Sequence, residues 1–538
     1  MHSRKEIANS IKTSLLDPYA NLPHELYSAQ AVREMDRHAI EDHGIDGFEL
    51  MNKAARFSFH TLFKAWPDTK NLIVLCGSGN NAGDGYIVAA LAKKRGWQVH
   101  VLFVSPPEKL KGDALSAYHL CLNVKVACEN FTTSRFKSYC DHENTVIIDA
   151  LLGTGLNSEV QGLYAQVIEQ TNEQTNPILA IDIPSGLSAD TGQALGLAIH
   201  ADLTATFIGL KVGLLTGSGR NYAGKIIFSN LDLESELFTH IKPIAKRLDL
   251  ASLLSHLAPR PKDSHKGSCG HAIIIGGDLG YGGAIILAAT ASARMGAGLT
   301  SVITQEAHRC ALLSSIPEVM LQSSQNMQTI EEFLTKADVL VIGPGLGKSA
   351  WSEKMLLAAL NSQKPLVIDA DALNLLSERY ASFVDLEIFK KAKHVLTPHP
   401  GEAARLLSSE DKKLNASDIQ ANRVLALEEL HKKWGNTILL KGSGSLLCSD
   451  SGDISLCPYG NPGMASGGMG DVLSGLIAGL IAQGIDPSYA LQLAVCLHAQ
   501  AADIASSEFG ERGILASDLI PIARQLLNQC RYAHHLAL

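Results

Sequence analysis

Several things are missing from this chain, and each absence narrows what it can be. Its ten cysteines include no CxxC pair and no group at metal-ligand spacing. Neither a disulfide framework nor a zinc site is expected, and the thiols read as reduced and mostly structural. No apolar run is long enough to cross a bilayer, and the opening MHSRKEIANSIKTSLLD lacks the continuous apolar stretch of a signal peptide. A cytoplasmic protein with no membrane partner is expected. There is no excess of positive charge either: the formal net charge is -8, which argues against a nucleic-acid partner. A hydrophobic fraction of 46% with 19% charged residues describes a soluble globular chain, neither fibrous nor disordered. What the chain does have is length, since 538 residues exceed one ordinary domain and suit two with large cores.

The stretch NPGMASGGMGDVLSG, residues 461–475, crowds five glycines around a single carboxylate, Asp471. Glycines let backbone N–H groups approach an anion closely. The following LSGLIAGLI pattern predicts a helix starting at Gly470–Asp471, whose N-terminal dipole would also attract negative charge. An Asp in a first helical turn can be a simple cap. A cap needs no preceding glycine run, however, whereas a general base beside a bound phosphoryl group needs backbone amides next to it. The run therefore reads as a phosphate cradle with Asp471 as the base.

Taken in order, a polar lead-in precedes helical patterns over 28–42 and 47–66. The apolar run NLIVLCG, 71–77, then has the form of a parallel strand buried on both faces. It leads through SGNNAGDGY into a helix, an arrangement that places a nucleotide at the carboxyl edge of a sheet. The turn is not GxGxxG: Asn80, Asn81 and Asp84 supply side-chain groups where the dinucleotide fingerprint supplies backbone alone. Further strands are predicted over 98–104, 145–150, 178–183, 203–208 and 225–229. Two of them end in polar turns, VIIDALLGTGLN with Asp149 and LAIDIPSGL with Asp182 and Ser185. Any one such Asp could be a turn former, but three turns on one edge should converge. Asn81, Asp149 and Ser185 offer only oxygen ligands, which suits a hard cation better than zinc.

Regularity is lost between 231 and 254, and LAPRPKDSHKGSCG brings a Pro and Lys cluster, which places a linker there. The second half opens with the strand HAIIIGG and a glycine turn feeding a helix of small residues. Then come ADVLVIGPGLG, PLVIDADALNLL, HVLTPHPGEAARLL and NTILLKGSGSLLCSDSGDISLC, each a strand delivering glycines or charged residues to a loop, with a hairpin near 450–453.

The ordered motifs SHKGSCGHAIIIGG, GPGLG, DADALNLL, TPHPGE, KGSGS and GNPGMASGGMGDVLSG resemble the dehydratase half of the bifunctional NAD(P)H-hydrate repair enzymes, relatives of the ribokinase-like kinases. GSGNNAGDGY, DALLGTGLN and DIPSG are similar to the epimerase half of the same family. The resemblance covers nearly the whole chain. One departure is Ala82, where many relatives carry glycine; backbone approach remains open.

The resemblance implies an α/β protein: a lead-in over 1–20, a Rossmann-like doubly wound epimerase domain over 21–235, a linker over 236–262 and a ribokinase-like α/β dehydratase domain over 263–538. The first domain would interconvert the R and S forms of hydrated NADH and NADPH. The second would dehydrate the S form at the expense of ADP, releasing AMP and phosphate. The epimerase substrate positions fall on Asn80, Asn81, Ala82, Gly83 and Asp84, on Gly153, Thr154, Gly155, Leu156, Asn157, Ser158 and Glu159, and on Asp182, the acid/base candidate. Asn81, Asp149 and Ser185 match potassium ligands.

In the dehydratase half, Ala284, Gly345, His399 and Asp471 match hydrate contacts, although His399 also reads as a hydrogen-bonded turn residue. The ADP positions are Lys441, Gly442, Ser443, Gly444 and Ser445, with Asn461, Pro462, Gly463, Met464, Ala465, Ser466, Gly467, Gly468, Met469 and Gly470. Magnesium is expected with ADP, but no dedicated cage for it is visible. Small-molecule substrates and a homo-oligomeric state are expected. Two alternatives remain at this stage. A ribokinase-type small-molecule kinase with an accessory nucleotide-binding domain would use the same cradle and Asp. A non-catalytic nucleotide-binding scaffold fits less well, because polar residues stand at all three turns of the first half.

Overall fold

The computed structural model describes residues 17–323, 326–380 and 386–529. Most of the lead-in over 1–20, and the last residues of the second domain, lie outside them. The described residues fall into two compact units, one spanning Pro18–Lys246 and the other running from Arg247 onward with Asp17. The stretch 236–262 is not bare linker: it carries a short strand, Ala245–Arg247, and a helix, Leu250–Ser255.

In the first unit, apolar runs become buried strands: β2 (Asn71–Cys76), β3 (Gln98–Phe103), β5 (Thr145–Ala150), β6 (Ile178–Ile181), β7 (Leu203–Phe207) and β9 (Lys225–Ser229). With β4 (Ala127–Asn130) they form one all-parallel sheet in the order β4-β3-β2-β5-β6-β7-β9. The chain winds outward in both directions from the β2/β5 pair, so the carboxyl ends of those two strands face a topological switch point. β6 stops two residues short of the expected end, because Asp182 turns out of the strand with φ +68. β4 escaped the sequence reading: ACEN is short, polar and at the sheet edge, without the apolar run that marks the others. The two- and three-residue strands β1 (Glu25–Tyr27), β8 (Leu210–Lys211) and β10 (Ala245–Arg247) gave no periodic signal either. The first two helices lie at Ala29–Glu41 and Gly47–Ala65; Ser28 and Asp46 cap them by accepting from Ala31 and Glu49 backbone N–H at 3.1 and 2.8 Å.

The second unit's sheet holds β11 (His271–Ile275), β12 (Leu299–Ile303), β13 (Met320–Gln322), β14 (Val339–Ile342), β15 (Leu366–Ile368), β16 (Val395–Leu396), β17 (Thr437–Leu440), β18 (Ser445–Cys448) and β19 (Ile454–Cys457). Their order is β13-β12-β11-β14-β15-β16-β17-β18-β19. Strands are parallel up to β17, and β18 and β19 close it as an antiparallel meander. The hairpin expected near 450–453 is present, closed by Ser449 N–H donating to Asp453 O at 2.9 Å.

The helix of the glycine run spans Met469–Ile481, one residue earlier than expected, and is buried along nearly its whole length. It lies against the small-residue helix Gly282–Met295. A Cβ on Gly475 would sit 2.2 Å from Ala288 O, and one on Gly479 2.6 Å from Ser292 O. The glycines in LSGLIAGLI are therefore there for backbone contact between helices. All cysteines among the described residues are free, and no described helix is long and apolar enough to cross a membrane.

Candidate active sites

In the first unit the three polar turns do converge at the switch point. Asp149 is fully buried at the end of β5 and receives three hydrogen bonds: Ser185 N–H at 2.7 Å, Ser185 hydroxyl at 2.5 Å and Leu151 N–H at 3.3 Å. Burial pushes its carboxyl up to about 6, against the opposing pull of the Ser185 bonds. Asn81, in the first turn of the helix Asn80–Lys94, donates its amide to Leu152 O at 3.1 Å, and Ser185 Oγ accepts from Leu152 N–H at 2.8 Å. The Leu152 backbone thus stitches the three turns together. Asn81 Oδ1 is buried with no hydrogen-bond partner, an orphan that a cation would satisfy. An unpaired amide oxygen, a buried carboxylate and a hydroxyl are a hard-donor set, and they fit potassium.

The proposed substrate segments divide by exposure. Asn80, Gly155, Asn157, Ser158 and Glu159 are exposed, and Asp84, Gly153, Thr154 and Leu156 are half-buried. Ala82 and Gly83 are buried; a Cβ on Gly83 would meet Met51 Sδ at 2.6 Å, so this glycine serves packing against a helix. Gly153 lies over Asn81, whose Cβ is 3.4 Å from where its own would be, so the two segments share one surface.

Asp182 is not alone. Lys211, fully buried, donates to Asp182 Oδ1, and also to Thr206 Oγ1 and Phe207 O, both at 3.1 Å. All three ammonium protons are thereby used. Two more carboxyls crowd the same charge. Asp84 is raised well above its ordinary range by burial and then by Asp182, and Asp36 is raised by burial, Asp182 and Asp113 against the pull of Lys211. The sequence reading missed Lys211 and Asp36. The available signal for Lys211 was that it is the lone charge in FIGLKVGLL.

In the second unit the site residues sit on successive carboxyl ends of the sheet. Asp278 N–H donates to Gly345 O at 2.7 Å, which ties the loop after β11 to the loop after β14. Gly345 has φ +56, and a Cβ there would lie 3.1 Å from Ala284 Cβ, so these two expected hydrate contacts adjoin. His399 follows β16 and caps the helix Pro400–Leu407: its Nδ1 accepts from Gly401 and Glu402 N–H at 3.0 and 3.3 Å, while Glu402 accepts from His399 N–H at 2.8 Å. This is the hydrogen-bonded turn role. It places the ring proton on Nε2, 3.3 Å from Glu402 Oε1.

Lys441, at the end of β17, lies 2.7 Å from Asp369 Oδ1 and 3.9 Å from Glu402 Oε2. Burial alone would lower its pKa, but Asp369, Glu402 and Asp471 outweigh that and hold it above its ordinary value. Burial pushes Glu402 up to about 7 against the pull of Lys441, and Asp471 up to about 6, the latter helped by Asp369. The N-cap of the Asp471 helix is Gly468, in the left-handed region at φ +89 with no side chain to cap with, so Asp471 occupies the first turn without being the cap. Asn461 anchors the start of the glycine loop: it accepts from Gly463 N–H and donates to Asp503, both at 2.9 Å. Ser466 holds the middle by donating to Ile514 O at 3.2 Å. In the other ADP segment, Ser445 Oγ closes a turn with Gly442 O at 3.0 Å, and the buried Arg423 donates to Leu440 O at 3.1 Å beneath it. Asp369, Glu402 and Ser474 were not singled out from sequence, although they lie inside the quoted motifs DADALNLL, TPHPGE and GNPGMASGGMGDVLSG.

Both halves match known families. Residues 272–525 match NAD(P)H-hydrate dehydratase, and residues 47–213 match the YjeF-related protein N-terminus. Over 503 residues the chain is 41% identical to the bifunctional NAD(P)H-hydrate repair enzyme Nnr of Coxiella burnetii, covering 94% of this chain and 99% of that one. The Escherichia coli protein of the same name is 39% identical over 510 residues, covering 94% and 95%. Among solved structures, a ribokinase-like superfamily protein from Enterococcus faecalis is 31% identical, covers 53% of this chain and 95% of its own, and gives a TM-score of 0.47. Two family matches in tandem, and relatives spanning both halves end to end, lead to one conclusion: the chain belongs to the family of bifunctional NAD(P)H-hydrate repair enzymes.

Proposed function

We propose that the chain repairs hydrated NADH and NADPH with two separate sites, an epimerase in the unit Pro18–Lys246 and an ADP-dependent dehydratase in the unit from Arg247 onward. The observation that carries the dehydratase reading is the meeting of Asp471, Lys441 and the glycine loop on one sheet edge. Hydroxide is a poor leaving group and phosphate a good one. Asp471 takes the proton of the ring hydroxyl, and the freed oxygen attacks the terminal phosphorus of ADP, displacing AMP. The phosphate then departs with its C–O bond electrons, and the neighbouring carbon loses a proton to restore the ring double bond. The N–H groups of Gly463, Met464 and Ala465 are spent inside the loop, so those of residues 466–470, with the N-terminus of the helix Met469–Ile481, are the ones to face the charge that develops on the transferred group. Lys441 supplies the side-chain cation there. Magnesium, when bound with the nucleotide, would neutralise phosphate charge; since Lys441 and Ser474 already engage Asp369, the nucleotide and water would supply most of its ligands.

In the epimerase, Asp182 is the acid/base group for the ring hydroxyl. Opening the ring between nitrogen and the hydroxylated carbon, then closing it on the other face, exchanges the epimers, and the segments 80–84 and 153–159 orient the substrate. Asn81, Asp149 and Ser185 would hold potassium, which would supply a fixed positive charge to the site. The proposal includes a cytoplasmic setting and a homo-oligomer, which light scattering on the full chain tests.

The functional test gives the purified chain mixed hydrate epimers with ADP and follows reduced-nicotinamide absorbance and free phosphate. Return of both epimers to NADH with one phosphate each is expected. A stable phosphoester product in place of free phosphate would mean a kinase.

A further inference from the structure

Asp369, at the carboxyl end of β15, has not been given a role above, and it is the most enclosed carboxylate of the second site. Its side chain is 2% exposed, and each oxygen has a different partner: Oδ1 holds Lys441 Nζ at 2.7 Å, and Oδ2 accepts from Ser474 Oγ at 2.8 Å. Ser474 stands three residues after Asp471 on the same helix, hence on the same face one turn along. Gly470, at the start of that helix, adjoins both partners: a Cβ there would be in ordinary contact with Asp369 Oδ2 at 3.4 Å and Lys441 Nζ at 3.5 Å. One carboxylate therefore grips the two elements that the reaction must hold in register, the strand end carrying the phosphate-facing cation and the helix carrying the base.

We propose that Asp369 is a positioning residue for the dehydration step, a buried clamp that fixes Lys441 and the Asp471 helix relative to each other so that nucleotide phosphate and base meet the hydroxyl together. A plain structural role explains the geometry less well. A buried carboxylate kept only for stability would not need a cationic partner whose side chain stays 20% exposed on the other side. The clamp also accounts for the shape of the charge cluster: Asp369 is the second largest cause raising Asp471, after burial, and the largest opposing the loss of charge on Lys441. It rests on the reading that Asp471 is the base and Lys441 an ADP contact.

The test uses the full chain with Asp369→Asn and Ser474→Ala, assayed for S-epimer dehydration, ADP binding and the pH profile of kcat. Asn keeps the size but presents its amide to Lys441 and removes the negative charge near Asp471. Dehydration should fall about 10²-fold and ADP binding about 10-fold. The acid limb of the kcat profile should move down by about half a pH unit or more, because Asp471 loses a neighbouring charge. Ser474→Ala keeps the charge and cuts only the tie to the helix. It should lower kcat about 3- to 10-fold with ADP affinity and the pH limb unchanged, and it serves alone if the Asn variant does not fold. Normal kcat and an unmoved limb in Asp369→Asn, or normal kcat in Ser474→Ala, would overturn the clamp. Asp471→Asn, run alongside, separates the two ideas: if it remains active, the reading of the base fails; if it is dead while Asp369→Asn is normal, the clamp alone fails.

Discussion

Each unit sets a lysine against an aspartate at the end of a parallel strand, but the two pairs are built the opposite way round. In the first unit Lys211 is the hidden partner, 1% exposed, and Asp182 the open one at 20%; in the second Lys441 is open at 20% and Asp369 hidden at 2%. The same ion pair thus presents a carboxylate to one site and an ammonium to the other. The difference matches the chemistry each site is asked to do. Exchanging epimers at a hydroxylated carbon needs a group that takes and returns a proton, and transferring a phosphoryl group needs a cation aimed at its oxygens. On the roles proposed above, the buried partner in each case fixes the working one and supplies the charge that keeps it there.

Removing the open member of the second pair should have the largest effect. Lys441→Met takes away the cation that lies against both Asp369 and Glu402 and leaves those carboxyls without it. ADP affinity, measured by calorimetry, should drop about 10²-fold, with epimerisation untouched. Equal ADP affinity would mean that the lysine serves the fold alone.

Removing the hidden member of the first pair comes next. Lys211→Met leaves Thr206 and Phe207 O without their donor and Asp182 without its counter-charge. Thermal unfolding should show a loss of about 1–3 kcal/mol, and epimerisation should slow about 10-fold. If stability falls while epimerisation at low temperature is normal, Asp182 is not held for catalysis by this lysine.

The smallest effect concerns Asp149 and potassium. Its folded pKa, about 6, lies above its unfolded value because burial penalises the charged form. Any stability this group lends is present below the unfolded pKa and is lost as pH rises through about 6; above that, the fold carries a buried charge offset by hydrogen bonds alone. A cation bound only by the folded state should repair this, so potassium should stabilise the fold against unfolding more at pH 8 than at pH 5, by roughly 1 kcal/mol. The difference should vanish in Asp149→Asn. Equal potassium effects at both pH values would remove Asp149 from the cation site.

The sequence carried the open members of these pairs better than the hidden ones. Long apolar strands ending in glycine or aspartate announced the sheets and their active edge, and Asp182, Lys441 and Asp471 all sit in recognisable turns. Lys211 lies in an apolar run, where a single polar residue looks like noise until the fold brings its partner across, and Asp369 lies in the motif DADALNLL, where nothing marks it out from Asp371. His399 shows the converse. Its motif carried two readings, ligand contact and hydrogen-bonded turn residue, and the geometry shows the second, a cap whose Nδ1 is taken by two backbone donors. Short edge strands such as β4 had no periodicity to find.

The central claim is that two independent sites work in sequence, the second by a carboxylate base at Asp471. The full chain carrying Asp471→Asn, given the pure R epimer and ADP, tests it in one incubation when epimers and NADH are resolved by chromatography. Asn is as good a helix-start residue as Asp in size and polarity, and it removes only the proton acceptor. The prediction is wild-type conversion of R to S with the return of NADH slowed by about two to four orders of magnitude. NADH appearing at the normal rate, or epimerisation failing along with it, would contradict the account.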